Sequence, residues 1–316
     1  MNSSHTVTVL CIAYNHSKWI VHSLQSVRVQ DYLHVNLVVV DNGSSDNTVE
    51  LIKKWTESQK SGIPIKTVFK IEQIPYCSLF NELLEEVDTD FVIDLSGDDY
   101  LLQSHISKSV RRINTYPDAS FVFSDAKIVH LDGKVHGFYE RNEVGVLMHK
   151  VIEGDLYEKL ISRCYICSPS VMFRTCSLKA IGGYDESLTY EDFDVQLRLA
   201  RKFKVLFSDH IGVSKHLHSN SLSASQYRRY QSNMLASTLK VCWKIKEMNI
   251  SHSENEALKE RIGFELKHAL WSANFDISDG FIRLGNSIGL ANFKFRIYKL
   301  WAKFRLDLSW LYAKIT

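Results

Sequence analysis

Phe91-Val92-Ile93-Asp94-Leu95-Ser96-Gly97-Asp98-Asp99-Tyr100 begins as a short apolar run and ends on two adjacent carboxylates. Phe91 to Leu95 predicts a buried strand, and Ser96-Gly97 a tight turn that delivers Asp98 and Asp99 at its carboxyl end. Toward the N-terminus the same figure occurs twice more. Leu37 to Val40 is an apolar run stopped by Asp41-Asn42-Gly43-Ser44-Ser45-Asp46, and Val7 to Ile12 is one followed by Tyr14-Asn15. Helical stretches lie between the runs: one that Ser17 can cap, with Ile20, Leu24 and Val27 on one face, one over Thr48 to Thr56, and one over Ser78 to Val87. Ile65 to Val68 adds a strand. The βαβαβαβ order predicts a doubly wound α/β domain with a mostly parallel sheet covered by helices on both faces. Ligands of such sheets bind beyond the carboxyl ends of the strands, where all three polar clusters fall.

From Tyr100 to Ser221 the pattern continues the same domain, with a strand at Phe121 to Ser124 and a turn at Leu131-Asp132-Gly133-Lys134. Beyond Ser225 strand signals stop and the chain reads as helical. The organisation is therefore residues 1–221 as one domain and 222–316 as a helical C-terminal region. A length of 316 residues accommodates both. Nothing in the composition marks a disordered or fibrous chain. No apolar run approaches the roughly 20 residues of a membrane span. Met1 to His5 is polar, without a basic segment and long apolar stretch behind it, so the expected location is the cytoplasm. Of six cysteines only Cys164 and Cys167 have a CxxC spacing, with no second pair, which favours free thiols over a zinc site.

Taken alone, each acidic cluster has an ordinary explanation. A doubled aspartate is commonly a solvated turn; the seat at a buried strand's end weighs toward Mg²⁺ or Mn²⁺ held against a diphosphate. Asp41 is as readily an Asx turn, with Ser45 or Asp46 capping the next helix, as a ligand. Tyr190-Glu191-Asp192-Phe193-Asp194 opens a helix running on through Leu197, Arg198 and Leu199. Acids there complement the helix dipole, and one well-placed carboxylate suffices as a general base.

In order and spacing these clusters resemble the family 2 glycosyltransferases of the A-type nucleotide-binding (GT-A) fold, over roughly residues 6–220. Val7 to Asn15 is similar to the family's opening strand, Val38 to Thr48 to its nucleobase-binding strand and turn, and Phe91 to Tyr100 to its metal-binding DXD segment. Gly182-Gly183-Tyr184-Asp185-Glu186 with Glu191-Asp192 resembles the acceptor-side signature. The resemblance implies an inverting enzyme that moves a sugar from a nucleotide-diphosphate sugar, UDP-sugar foremost, to a saccharide or lipid-linked saccharide, as in bacterial cell-surface polysaccharide assembly. It implies that Ala13, Tyr14 and Asp41 or Asn42 contact the base, that Asp98 and Asp99 engage a divalent metal (Mn²⁺ or Mg²⁺) and the donor, and that Asp192 is the base. Two positions depart from the family pattern. Ser96 stands where Asp is common, at the ribose or metal contact, and Phe80-Asn81 stands where Arg-Asn is frequent, leaving Asn81 as the diphosphate candidate. Lys215-His216-Leu217-His218-Ser219-Asn220-Ser221 resembles the loop after the base helix. His218 ranks above His216 as a metal ligand there, although histidines in polar loops are commonly plain surface groups. Ser96 and Phe80 also motivate a competing reading, a catalytically silent sugar-nucleotide-binding or scaffolding module. A nucleotidyltransferase of the same architecture ranks below both.

The net charge of +2 hides an asymmetry. From Phe281 onward Arg283, Lys294, Arg296, Lys299, Lys303, Arg305 and Lys314 face one acid, Asp307. Over Phe293 to Leu311 a helical stripe of Phe293, Ile297, Leu300, Trp301, Phe304, Leu308 and Leu311 lies apart from Lys299, Lys303 and Lys314. Two explanations stand level: peripheral contact with an anionic membrane, on the inner face of the cytoplasmic membrane, or packing onto the domain. Basic residues confined to this apolar-faced tail argue against nucleic-acid binding.

Overall fold

The computed structural model describes residues 5–59, 62–218, 221 and 225–312. Met1–Ser4 of the polar start, Ser219, Asn220 and the tail cation Lys314 lie outside the described residues. The chain forms two compact units, the first comprising residues up to Leu156 with Ile166–Tyr184 and Lys202–Leu217, the second Tyr157–Tyr165, Asp185–Arg201 and the chain from His218. A cut near residue 222 follows chain order; packing also groups two earlier segments with the last helices.

The first unit carries the sheet. In chain order its elements are β1 (Val7–Ala13), α1 (Ile20–Arg28), β2 (Val35–Asn42), α2 (Thr48–Glu57), β3 (Ile65–Lys70), α3 (Tyr76–Glu86), β4 (Phe91–Ser96), β5 (Tyr100–Leu101), α4 (His105–Ile113), β6 (Ala119–Val129) and β7 (Val135–Gly137). After α5 (Tyr157–Ser162) of the second unit come β8 (Met172–Arg174) and α6 (Thr175–Ala180). After α7 (Asp192–Lys202), mostly of the second unit, comes the long β9 (Lys204–His216). The strand order is β3-β2-β1-β4-β8-β6-β9-β5, with β7 on β6. β3, β2, β1 and β4 are parallel, as are β6 and β9, whereas β8 joins the two blocks antiparallel to both neighbours. The expected mixed, mostly parallel α/β sheet with flanking helices is the fold observed.

Alternation along the strands explains the layers. Val7, Val9 and Cys11 of β1, Leu37 and Val39 of β2, and Ile93 and Leu95 of β4 form one core with Ile20 and Leu24 of α1, Ile52 of α2, and Ile106 and Val110 of α4. Leu10 and Ile12, of opposite parity, are buried as well, so β1 is covered on both faces, and this is why its sequence is continuously apolar. Register then brings the strand ends level: Ala13 lies opposite Asp41, and Ile12 opposite Ser96.

The first helix starts at Ile20 with Trp19 before it, not at Ser17. The Ser17 N–H donates to Asp46 Oδ2 at 3.1 Å, so Ser17 serves the loop rather than the helix end.

The second unit is helical. Besides α5 and α7 it contains α8 (Asn233–Met248), α9 (His252–Trp271), α10 (Phe275–Ser287), α11 (Phe293–Phe304) and α12 (Ser309–Tyr312). α9 packs against α5, α8, α10, α11 and α12. It opens on a capping box between Ser251 and Glu254, and Glu254 also pairs with Arg201 of α7 at 2.7 Å. The expected single terminal helix is interrupted, because α11 ends at Phe304 and Arg305 takes a left-handed conformation (φ 47°). Leu308 and Leu311 therefore do not continue its stripe. Among the described residues no helix is long and apolar enough to cross a membrane.

Candidate functional site

The loops after β1 and β2 are laced together. Asn15, itself left-handed (φ 55°), accepts from the Ser45 N–H at 2.8 Å through Oδ1, and its own N–H donates to Ser44 Oγ at 2.8 Å. The His16 N–H donates to Thr48 Oγ1 at 2.9 Å. Asn42 fastens a third segment: its amide exchanges two hydrogen bonds with the Ile74 backbone, at 2.9 and 3.0 Å. Gly43 (φ 74°) leaves room for that segment, since a Cβ would sit 2.6 Å from Gln73 N. Asp41 is fully buried within this frame. Its Oδ2 accepts from the Ser44 N–H at 2.9 Å, while Oδ1 has no partner among the described residues. A buried acceptor left open next to an exposed Tyr14 and a buried Ala13 is fitted to receive a donor from a ligand.

The acid pair adjoins this frame. A Cβ on Gly97 would meet His16 Nδ1 at 2.9 Å and the Ala13 side chain at 3.0 Å, so only glycine lets the Asp98-Asp99 turn sit this close to the end of β1. The Ser96 hydroxyl donates to Asp98 Oδ1, and His16 Nε2 stands 3.9 Å from Asp98 Oδ2. Asp99 Oδ1 accepts from the His216 N–H at 2.9 Å, because Lys215 and His216, expected in a loop, are the end of β9. Both carboxylates are buried. Burial first, and the charge of Asp98 second, push Asp99 up to about 8, against the pull of Lys215 and the His216 N–H. Two crowded, water-poor carboxylates call for a cation. Hard oxygen ligands suit Mg²⁺ or Mn²⁺, with remaining positions left to phosphate or water, so Asp98 and Asp99 fit that role. Among the described residues no group of three or more His, Cys, Asp or Glu side chains forms a self-sufficient metal cage.

A further carboxylate was not singled out from the sequence. Asp94 lies two residues before Ser96 on the same face of β4, and accepts from the Tyr76 hydroxyl at 2.6 Å and the Tyr184 hydroxyl at 2.9 Å. Burial raises it to about 6, with the two hydroxyls opposing the shift. Tyr184 stacks on Phe80 with ring centroids 3.9 Å apart. The Asn81 amide clamps the Tyr184 backbone through two 2.8 Å hydrogen bonds. Phe80-Asn81 thus holds the Gly182-Gly183-Tyr184 turn. The available signal was an acid inside an otherwise apolar strand.

Ala13, Tyr14, Asp41, Asn42, Asn81, Ser96, Asp98 and Asp99 all belong to the sheet unit, whereas Asp192 and His218 belong to the helical unit. Asp192 is the first residue of α7, half-buried, and its Oδ1 accepts from the Phe193 N–H at 2.7 Å. The neighbouring Asp194 is fully engaged in structure, pairing with Arg198 at 2.6 Å and Lys244 at 2.7 Å. Lys244 also pairs with Asp185. His218 is buried, and its carbonyl accepts from the Ser221 N–H and hydroxyl at 3.0 and 2.7 Å. All six cysteines are free thiols.

Comparison with known proteins adds the following. The family model described as Glycosyl transferase family 2 matches residues 8–174. An uncharacterized glycosyltransferase of Rickettsia typhi is 22% identical over 246 residues, covering 72% of this chain and 70% of that protein. A teichoic acid poly(glycerol phosphate) polymerase of Staphylococcus epidermidis is 24% identical over 213 residues, 64% of this chain but 27% of the polymerase. Among solved structures, S. aureus TarS 1–349 in complex with UDP-GlcNAc superposes with a TM-score of 0.71 at 16% identity, covering 98% of this chain and 92% of that one. The mannosyltransferase PcManGT from Pyrobaculum calidifontis, in complex with GDP-Man and Mn²⁺, gives a TM-score of 0.60 at 14% identity, covering 96% and 85%. At such identities the structural likeness is one of fold.

Proposed function

Because the chain belongs to glycosyl transferase family 2, we propose that it moves a sugar from a nucleotide-diphosphate sugar to a hydroxyl of a saccharide acceptor, with inversion at the anomeric carbon. The observation that carries the reading is the meeting, at the level ends of β1, β2 and β4, of an open buried carboxylate oxygen on Asp41 with the crowded Asp98–Asp99 pair. The neighbours solved with UDP-GlcNAc and with GDP-Man support a nucleotide-sugar donor, and a UDP-sugar is the first to test.

Asp41 Oδ1 receives an N–H of the base beside Tyr14 and Ala13. Asn42, its amide committed to Ile74, shapes the pocket wall, and Asn81 does the same for the 182–184 turn. Ser96 orients Asp98 through its hydroxyl. Asp98 and Asp99, with His218 as a further ligand, would hold a divalent cation, which when bound would supply positive charge opposite the departing diphosphate. Asp192 takes the acceptor's hydroxyl proton as the oxygen attacks the anomeric carbon; the bond to the diphosphate breaks, and the nucleoside diphosphate leaves. The named activity of the staphylococcal polymerase supports a polymer of the teichoic acid kind as the class of acceptor; in our reading that acceptor is lipid-linked and is reached from the cytoplasmic side through peripheral contact of the C-terminal helix.

Thermal shift with UDP-, GDP- and dTDP-sugars, with and without Mn²⁺, together with transfer assays on wild type and Asp192→Asn, tests the reading. The expected result is selective, Mn²⁺-enhanced stabilisation by one donor in both proteins and transfer in the wild type alone. Donor binding with no transfer to any acceptor, unchanged in Asp192→Asn, would replace this reading with the silent binding module.

A further inference from the structure

The geometry of α11 points to a docking surface for an anionic membrane, made by one stripe of the helix. Phe293, Ile297, Leu300 and Phe304 are 76%, 44%, 57% and 65% exposed. They stand at i, i+4, i+7 and i+11, within about 60° of one another on the helix and along about 16 Å of its length. The opposite side is the packed one. Phe295 and Ala302 are buried there, and Gly285 of α10 makes room for the Phe295 ring (a Cβ would lie 2.7 Å from it); Trp301, on the flank about 70° from the stripe's centre, meets Trp271 of α9 edge-on at 5.1 Å. Packing onto neighbouring helices therefore accounts for one face of α11 and leaves the stripe outside.

Charge identifies the occupant. Phe293–Phe304 contains no acid, and its cations Lys294, Arg296, Lys299 and Lys303 flank the stripe or lie beyond it. On the wheel, Arg296 and Lys303 stand roughly a quarter-turn to one side and Lys294 a quarter-turn to the other. None of these three has an acidic partner among the described residues, whereas Arg305 is already paired with Asp276 and Asp279. An apolar ridge between two unneutralised basic margins matches an anionic bilayer, where the ridge enters the acyl boundary and the margins meet headgroup phosphates. A second copy of the chain fits less well, since two ridges in contact would bring basic margin against basic margin.

The inference deepens the lipid-linked acceptor reading and rests on it for purpose, while lipid binding is measured apart from transfer. The full chain is floated with vesicles of phosphatidylcholine alone and of phosphatidylcholine mixed with phosphatidylglycerol. Phe293→Glu/Phe304→Glu and Arg296→Gln/Lys303→Gln are run alongside, with thermal midpoints checking that each variant folds. Flotation is expected only with phosphatidylglycerol, weakening as salt rises. The charge variant should lose roughly thirty-fold in partitioning and the stripe variant should stop floating, both with unchanged midpoints. The inference falls if the wild type does not float, if neutral vesicles capture it equally, or if light scattering gives a lipid-free dimer that Phe293→Glu/Phe304→Glu converts to monomer. Flotation that persists in a protein unable to bind any donor would instead end the transfer reading and leave the docking surface standing.

Discussion

Asp98 and Asp99 in the sheet unit and Asp185 and Asp194 in the helical unit are all carboxylates drawn partly or wholly out of water, yet their surroundings treat them oppositely. Lys244 bridges Asp185 and Asp194, and Arg198 completes the second. Burial would raise Asp185, but the Lys244 ammonium and the Ser187 donors outweigh it and hold the group at about 2. Asp98 accepts from the Ser96 hydroxyl and faces His16 Nε2 at 3.9 Å, and Asp99 accepts from the His216 N–H under the pull of Lys215, yet burial and the charge of Asp98 still take Asp99 up to about 8. Acids held low by a bridging ammonium are architecture, while one whose charged form its surroundings disfavour is a candidate for a functional role.

The sharpest way to break this contrast is substitution on both sides. Asp98→Asn or Asp99→Asn should cut the transfer rate by about 10²–10³, the scale of losing one electrostatic element of a reaction site. The thermal midpoint should hold or rise, because a buried like-charge contact is relieved. A lowered midpoint with activity retained would make this pair structural as well. Asp194→Ala should do the reverse. It removes one carboxylate from Lys244 and Arg198, costing about 3 kcal/mol, the low end for a broken buried pair because Lys244 keeps Asp185 and both cations keep some water contact. Denaturant unfolding would measure that loss, and donor affinity of the folded protein should not change.

Asp94 offers the smallest and most discriminating effect, being compensated by hydroxyls rather than cations. Its folded-state value of about 6 lies above the ordinary carboxyl value of about 3.9. Between the two the native chain binds more protons than the unfolded one, so this group's contribution is full below about pH 4 and lost as pH rises through about 6. Asp94→Asn should flatten that part of the midpoint-against-pH curve and leave the curve above pH 6 parallel to wild type. An unchanged slope would remove Asp94 from the account.

What the sequence disclosed follows from the range of the interactions concerned. The parallel block was legible because strands covered on both faces are apolar throughout, as in Val7 to Ile12 and Leu37 to Val40. β5, β7 and β8 were not, being two or three residues long and defined by partners far along the chain. Asp41, Asp98 and Asp99 stood out by their seats at strand ends. The Asp94–Tyr184 contact joins residues 90 positions apart, and Lys244 reaches Asp194 across 50, so neither leaves a local pattern. The break after Phe304 was hidden because Arg305, not glycine, takes the left-handed position.

The lacing of Asn15 to Ser44 and Ser45 has a practical corollary for anyone wishing to redirect the protein's choice of nucleotide. Randomising positions 15, 44 or 45 would unpick a shared seam and loosen both walls at once, so most such library members should be lost before selectivity is sampled. Tyr14 lies beside that seam with its ring exposed and no stitch of its own in it, and diversity introduced there spares the scaffold.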